Sequence, residues 1–181
     1  FILFDIGSGV RTISPASPLP ALLSTTLIDA RTQGGYGGKP LIELDGTNAG
    51  LAANGLVLMA RGNTVRGLAI NRFQLDGLWL LGQGEHRVEA NYIGLDPTGE
   101  LDQGNAQSGI RSDSPNNVIG LGATAFTGEA RNVISGNGDD GVFIFGPAAM
   151  NNLVRGNLIG TDDDGVTAIA NAGDGVEIDR A

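Results

Sequence analysis

Three adjacent aspartates at positions 162–164 form the longest run of possible metal ligands in the sequence. Carboxylate oxygens are the ligands that Ca²⁺ prefers in proteins, so Asp162, Asp163 and Asp164 form a candidate calcium site. The stretch lacks the glutamate that closes a calcium-binding loop, and a solvated acidic loop explains the same residues. Calcium is therefore the one cofactor that the sequence suggests.

A second acidic pair, Asp139 and Asp140, has the residue types of a glycoside hydrolase, which needs two carboxyl groups several ångströms apart. Neighbouring residues of a strand point to opposite faces, and an aspartate also precedes glycine at Asp76 and Asp174. The pair is thus explained as a corner of a repeat. We predict no catalytic residue and leave enzymatic activity open, leaning against it.

His86 is the only histidine, which argues against a histidine-based metal site. It aligns with Asn63 and Asn152 in a repeated motif, which favours a structural role at the edge of a turn.

Trp79, Arg111 and Phe143 occupy one position in three successive repeats. If the strands alternate, this position faces outward while its neighbours face inward. Aromatic rings on such a face predict a carbohydrate-binding platform formed by Trp79, Arg111 and Phe143. Loops that cover the face are the alternative explanation.

The element that must position these side chains is a repeat. A glycine followed by a short strand recurs with nearly constant spacing at Gly77, Gly109, Gly141 and Gly175, as in a solenoid. Between these strands lies a motif that begins at Asn63, His86 and Asn152, with the same opening at Asn132. Unequal loops argue against leucine-rich repeats, and polar residues before Asp-Gly argue against hairpins. We predict an all-β, right-handed parallel β-helix of six to seven coils in one domain, 1–181.

Composition limits the partners. The chain has 181 residues, 30 glycines, no cysteine and a net charge of −9. The acidic charge argues against nucleic acid and anionic membranes, and the lack of cysteine excludes disulfides. No apolar stretch is long enough to insert into a membrane.

Two stretches, Asn132-Val-Ile-Ser-Gly-Asn-Gly-Asp-Asp-Gly-Val and Gly156-Asn-Leu-Ile-Gly-Thr-Asp, resemble the parallel β-helix repeats of bacterial secreted and cell-surface proteins. The opening Ile6-Gly-Ser-Gly-Val-Arg-Thr-Ile-Ser-Pro is similar to the first coils of that family, although Ala30 stands where the family usually has glycine. The resemblance implies a pectate-lyase-like coil in an extracellular or cell-surface protein.

The resemblance implies a structural or adhesive module, a rigid rod that binds glycans or associates end to end. The alternative is a polysaccharide lyase or glycoside hydrolase that acts on acidic polysaccharide. Expected partners are other domains of the same, longer protein, copies of this chain at the open ends, and polysaccharide. The apolar positions of the strands predict a core of Leu56, Leu58, Val65, Leu78, Leu80, Val88, Ile93, Val142, Ile144, Val154, Ile159, Val176 and Ile178.

Overall fold

The computed structural model describes residues 1–120 and 131–181. Their strands form three sheets in which every pair of neighbours is parallel. Each coil after the first gives one short strand to each sheet, and the first gives strands to only two of them. The chain is therefore a parallel β-helix, as the repeats predict. Two sheets have six strands and the third has five among the described residues, at the lower end of the predicted six to seven coils.

The strands are two to four residues long and are numbered in chain order. Sheet A contains β1 (Ile2–Leu3), β3 (Leu27–Asp29), β6 (Thr64–Arg66), β9 (Arg87–Glu89), β12 (Val118–Gly120) and β15 (Leu153–Arg155). Sheet B contains β2 (Arg11–Ile13), β4 (Ile42–Asp45), β7 (Leu68–Asn71), β10 (Tyr92–Ile93), β13 (Val133–Ile134) and β16 (Leu158–Ile159). Sheet C contains β5 (Leu56–Leu58), β8 (Leu78–Leu80), β11 (Ile110–Ser112), β14 (Val142–Phe145) and β17 (Val176–Asp179). Short 3₁₀ turns follow two strands, at Ala30–Thr32 and Gly46–Asn48. No helix in the described ranges is long and apolar enough to cross a membrane.

The core lies between the three sheets and is most complete in the central coils. Of the predicted core residues, Val154 and Ile159 are only partly buried, whereas Val176 and Ile178 are exposed. These two lie in β17, the last strand of sheet C, so the prediction fails for them because no further coil packs on that strand. The other predicted positions are buried: Leu56, Leu58, Val65, Leu78, Leu80, Val88, Ile93, Val142 and Ile144.

The repeated glycine at the start of each sheet C strand is required by close approach of the next coil. A Cβ on Gly109 would lie 2.6 Å from Cγ2 of Ile134 and 2.8 Å from the carbonyl oxygen of Gly141. Real Cβ atoms essentially never approach other atoms this closely. The glycine spacing therefore reports the coil length directly.

One alignment of the sequence analysis is wrong. Asn132 was aligned with Asn63 and Asn152, which precede sheet A strands, but β13 after Asn132 belongs to sheet B. The sheet A strand of this coil is β12, and residues 121–132 lie between the two strands in the sequence. Because the two motifs share an asparagine and a valine, the sequence alone does not distinguish them.

Candidate functional site

Asparagine side chains connect successive coils at all three corners between the sheets. At the corner between sheets B and C, Nδ2 of Asn105 donates to Oδ1 of Asn137 at 3.0 Å. Nδ2 of Asn137 in turn donates to Oδ1 of Asn171 at 2.9 Å. Buried amides that bond to one another and to strand carbonyls fix the stacking of the coils. The three asparagine ladders are Asn91–Asn132–Asn157, Asn105–Asn137–Asn171, and Asn63–His86–Asn117–Asn152.

His86 takes the place of an asparagine in the third ladder. Its Nδ1 accepts a hydrogen bond from the backbone N–H of Asn63 at 3.3 Å, and its Nε2 lies 2.9 Å from the carbonyl oxygen of Leu81. This pattern fits a neutral ring protonated on Nε2, and burial lowers the pKa of His86. The structure thus places His86 in the turn-edge position that the alignment predicts.

The structure does not bring Asp162, Asp163 and Asp164 together as a calcium site. Asp162 accepts hydrogen bonds from the backbone N–H groups of Val166 and Thr167, which close its own loop. Asp163 faces elsewhere and is bonded to Lys39 Nζ at 2.6 Å and to the Tyr92 hydroxyl at 3.0 Å. Among the described residues, no group of three or more His, Cys, Asp or Glu side chains could hold a metal ion.

Asp162 is instead the counterpart of Asp96 in an equivalent loop. Asp96 accepts from the backbone N–H groups of Glu100 and Leu101, as Asp162 does in its loop. The loops are closed by matching antiparallel bridges, Leu95 with Asp102 and Thr161 with Ala168. Equal loop lengths in the sequence already indicate one excursion built twice. The repeated feature is the aspartate of the Gly-Xaa-Asp stretch that opens each loop, whereas Asp163 and Asp164 have no acidic counterpart in the first loop.

Trp79, Arg111 and Phe143 do come together, on the outward face of sheet C. They pair in register on the neighbouring strands β8, β11 and β14. The guanidinium carbon of Arg111 lies 5.3 Å from the centre of the Trp79 ring and 5.8 Å from that of Phe143, within cation–π distance. We call Trp79, Arg111, Phe143 and the neighbouring Phe145 and Asp113 the aromatic face.

Asp113 and Phe145 are members of the aromatic face that the sequence analysis did not identify. Asp113 accepts from Arg111 Nε at 3.0 Å and from Trp79 Nε1 at 3.1 Å, and the Phe145 ring centre lies 5.2 Å from Arg111. Residues two positions apart on a strand share a face. The signal was therefore the spacing of Asp113 from Arg111 and of Phe145 from Phe143.

The aspartates before the repeated glycines hold the backbone of the next coil. Oδ1 of Asp76 accepts from the backbone N–H of Ser108 at 3.1 Å, and Oδ1 of Asp140 accepts from that of Asp174 at 2.7 Å. Asn54 makes the same contact to Asp76. Burial raises the pKa of Asp76 to about 6, but the side chain is enclosed rather than open to a substrate.

Asp139 and Asp140 have opposite environments, although they lie in the turn before β14 and not on a strand as the sequence analysis assumes. Asp140 is buried, whereas Asp139 is exposed. Burial, and after it the charge of Asp140, raises the pKa of Asp139. Contact with Asp140 likewise raises the pKa of Glu177 in the next coil. These acids cluster at the entry edge of sheet C, beside the aromatic face.

No protein-family model, no curated protein and no solved structure matches this chain. The parallel β-helix architecture therefore rests on the three parallel sheets themselves.

Proposed function

We propose that this protein is a rigid structural or adhesive module of a secreted or cell-surface bacterial protein with pectate-lyase-like β-helix repeats. The observation that carries the proposal is that asparagine ladders connect the central coils at all three corners. Each coil is thus held to the next by side chains as well as by the strands of three sheets. Such nearest-neighbour coupling stiffens a solenoid along its axis.

The acidic carboxylates support a scaffold more than an enzyme. Asp76, Asp96 and Asp162 each accept hydrogen bonds from backbone N–H groups, which are structural contacts. A hydrolase or lyase would need an acid and a base converging on a cleft. Exposed apolar side chains in the outermost coils, such as Leu3 and Ile178, support contact of the ends with another domain or a second copy.

The test of the rod proposal is mechanical. We expect the chain, pulled between two reference domains in an optical trap, to resist until defined rupture events occur. Asn137→Ala is expected to lower the rupture force, because it removes donors to the carbonyl of Ile93 and to Asn171. Asn48→Ala, at an exposed position, is the matched control and should leave the force unchanged. Gradual extension without rupture would contradict a rigid module.

A second candidate function, glycan binding, is favoured by the aromatic face. Trp79 and Phe143 are half-buried beside Arg111, and sugars stack on aromatic rings through their apolar faces. The nearby acids Asp139 and Glu177 would repel uronates, so neutral oligosaccharides are the expected ligands.

Calorimetric titration with neutral and uronate-rich oligosaccharides tests this second function. We expect neutral ligands to bind, and Trp79→Ala to weaken binding about tenfold or more. Leu51→Ala is the control, because the Leu51 side chain is exposed in the turn before β5. Equal binding by Trp79→Ala would contradict the site. Release of reducing or unsaturated ends, abolished by Asp139→Asn or Asp140→Asn, would instead support the lyase or hydrolase alternative.

A further inference from the structure

The outward face of sheet A differs in charge from the acidic chain as a whole. Arg66 and Arg87 lie on its strands with the carboxylates Asp29 and Glu89, and Arg31 lies in the 3₁₀ turn that follows β3. The protein has a net charge of −9. This face is therefore a local positive region, in which guanidinium groups outnumber the carboxylates that pair with them.

The carboxylate of Asp29 is shared between two guanidinium groups. It accepts from Arg31 Nε at 3.0 Å and from Arg66 Nε at 2.9 Å, and Arg66 Nη2 lies 2.8 Å away. Burial opposes ionisation of Asp29, but the hydrogen bonds from Arg31 and Arg66 outweigh it and lower its pKa. Asp29 is therefore ionised at neutral pH. With Glu89, which lies 4.0 Å from Arg66 Nη1 and 3.1 Å from Arg87 Nη1, it balances two of the three guanidinium groups.

A cavity of about 540 Å³ opens beside Arg31 and Asp29. Part of its wall comes from a glycine-rich loop at residues 34–38, which contributes Tyr36, Gly37 and Gly38. The cavity is lined by Asp29, Arg31, Thr32, Tyr36, Gly37 and Gly38.

The loop is held in place at both of its ends. The backbone N–H of Tyr36 donates to the carbonyl oxygen of Gln33 at 3.1 Å. On the other side, Lys39 Nζ donates to the carbonyl oxygen of Thr98 at 2.9 Å and pairs with Asp163. Tyr36 is thus positioned as one wall of the cavity and Arg31 as another.

We propose that this cavity is a binding site for a compact oxyanion, a sulfate, phosphate or carboxylate group carried on a ring that packs against Tyr36. Guanidinium groups present planar donors that match the oxygens of such anions. Arg31 engages Asp29 through Nε and Nη2, and no hydrogen bond within residues 1–120 and 131–181 uses its Nη1. That nitrogen is the donor through which Arg31 would bind the anion. The site is separate from the aromatic face, which lies on sheet C.

A matched sugar series tests the proposal, because its members share one ring and differ in the group at C6. The probes are glucose, glucuronate, glucose 6-phosphate and glucose 6-sulfate, titrated against the full chain while the Arg31 Nε–Hε signal is followed by NMR. At least one anionic sugar is expected to shift this signal saturably, and its affinity should fall as salt is added. The sugar that binds identifies whether the site takes a carboxylate, a phosphate or a sulfate group.

Two variants test whether Arg31 and Tyr36 form the binding site. Arg31→Gln and Tyr36→Leu are each expected to weaken binding of the anionic sugar about tenfold, measured by calorimetry on variants whose thermal unfolding is first shown to be cooperative. Arg180→Gln, which removes an exposed arginine paired with Asp179 in the last strand of sheet C, is the control and should leave affinity unchanged. Binding of glucose as tight as that of the anionic sugars, unchanged affinity in Arg31→Gln, or no binding of any anionic sugar would each overturn the proposal.

Discussion

Gly109→Ala is expected to lower the free energy of unfolding by about 3 kcal/mol or more, since overpacking against a fixed backbone is costly. The new Cβ would meet Nδ2 of Asn137 and the carbonyl oxygen of Gly141 at 2.8 Å, and Cγ2 of Ile134 at 2.6 Å. None of these is the far end of a flexible side chain that can move aside. Relief requires neighbouring coils to separate, which weakens the sheet C ladder and the asparagine ladder together.

Gly34→Ala is the matched control for this substitution. Nothing lies within 4 Å of the Cβ position on Gly34, and its φ is not in the left-handed region. Its stability should stay within about 0.5 kcal/mol of the parent chain, as for most surface changes. Chemical denaturation followed by circular dichroism measures both variants. A Gly109→Ala chain as stable as Gly34→Ala would show that the coils do not stack this closely.

Asp76→Asn is expected to stabilise the protein at pH 7–8 by up to about 3 kcal/mol, the linkage value of a shift from 3.8 to about 6. The folded pKa lies above the unfolded one. The contribution of the protonated carboxyl is therefore complete below the unfolded pKa of 3.8 and is lost as pH rises through about 6. Asparagine keeps the acceptor for Ser108, as Asn54 already does for Asp76, without a charge to bury.

The pH dependence identifies the cause of that stabilisation. The difference between Asp76→Asn and the parent should be largest above pH 7 and should disappear below about pH 4, in denaturation curves recorded across that range. Asp5→Asn, at an exposed carboxylate, is the control and should change stability by less than about 0.5 kcal/mol at any pH. A gain in Asp76→Asn that is independent of pH would show that its charge is not the cause.

Much of the fold could be predicted because the constraints are local and repeated. The glycines at 77, 109 and 141 mark places where a side chain cannot fit, so their spacing gives the coil length. Alternating apolar residues such as Leu78 and Leu80 identify the inward face of each strand. These two signals predict the register of the sheet C strands. The predicted register correctly pairs Trp79 with Arg111.

The rest depends on contacts between residues that are distant in sequence. Asp163 resembles a metal ligand until the structure brings Lys39 and Tyr92 to it. The opening motif at Asn132 fits either of two corners, because at both corners an asparagine side chain accepts a hydrogen bond from the neighbouring coil. Local sequence shows which residues can accept a hydrogen bond, but the stacking of coils determines which donor contacts each of them.

The asparagine ladders also give the solenoid a direction. In each described link of the ladder from Asn105 to Asn171, the amide nitrogen of one coil donates to the amide oxygen of the coil after it. The amide dipoles therefore point the same way along the axis, and such aligned chains of hydrogen bonds polarise one another. An added coil would have to present acceptors on one side of the stack and donors on the other. Extension of this stack by a copy of itself is thus compatible with head-to-tail, heterologous contact, whereas a two-fold symmetric pairing of like ends would set donors against donors or acceptors against acceptors.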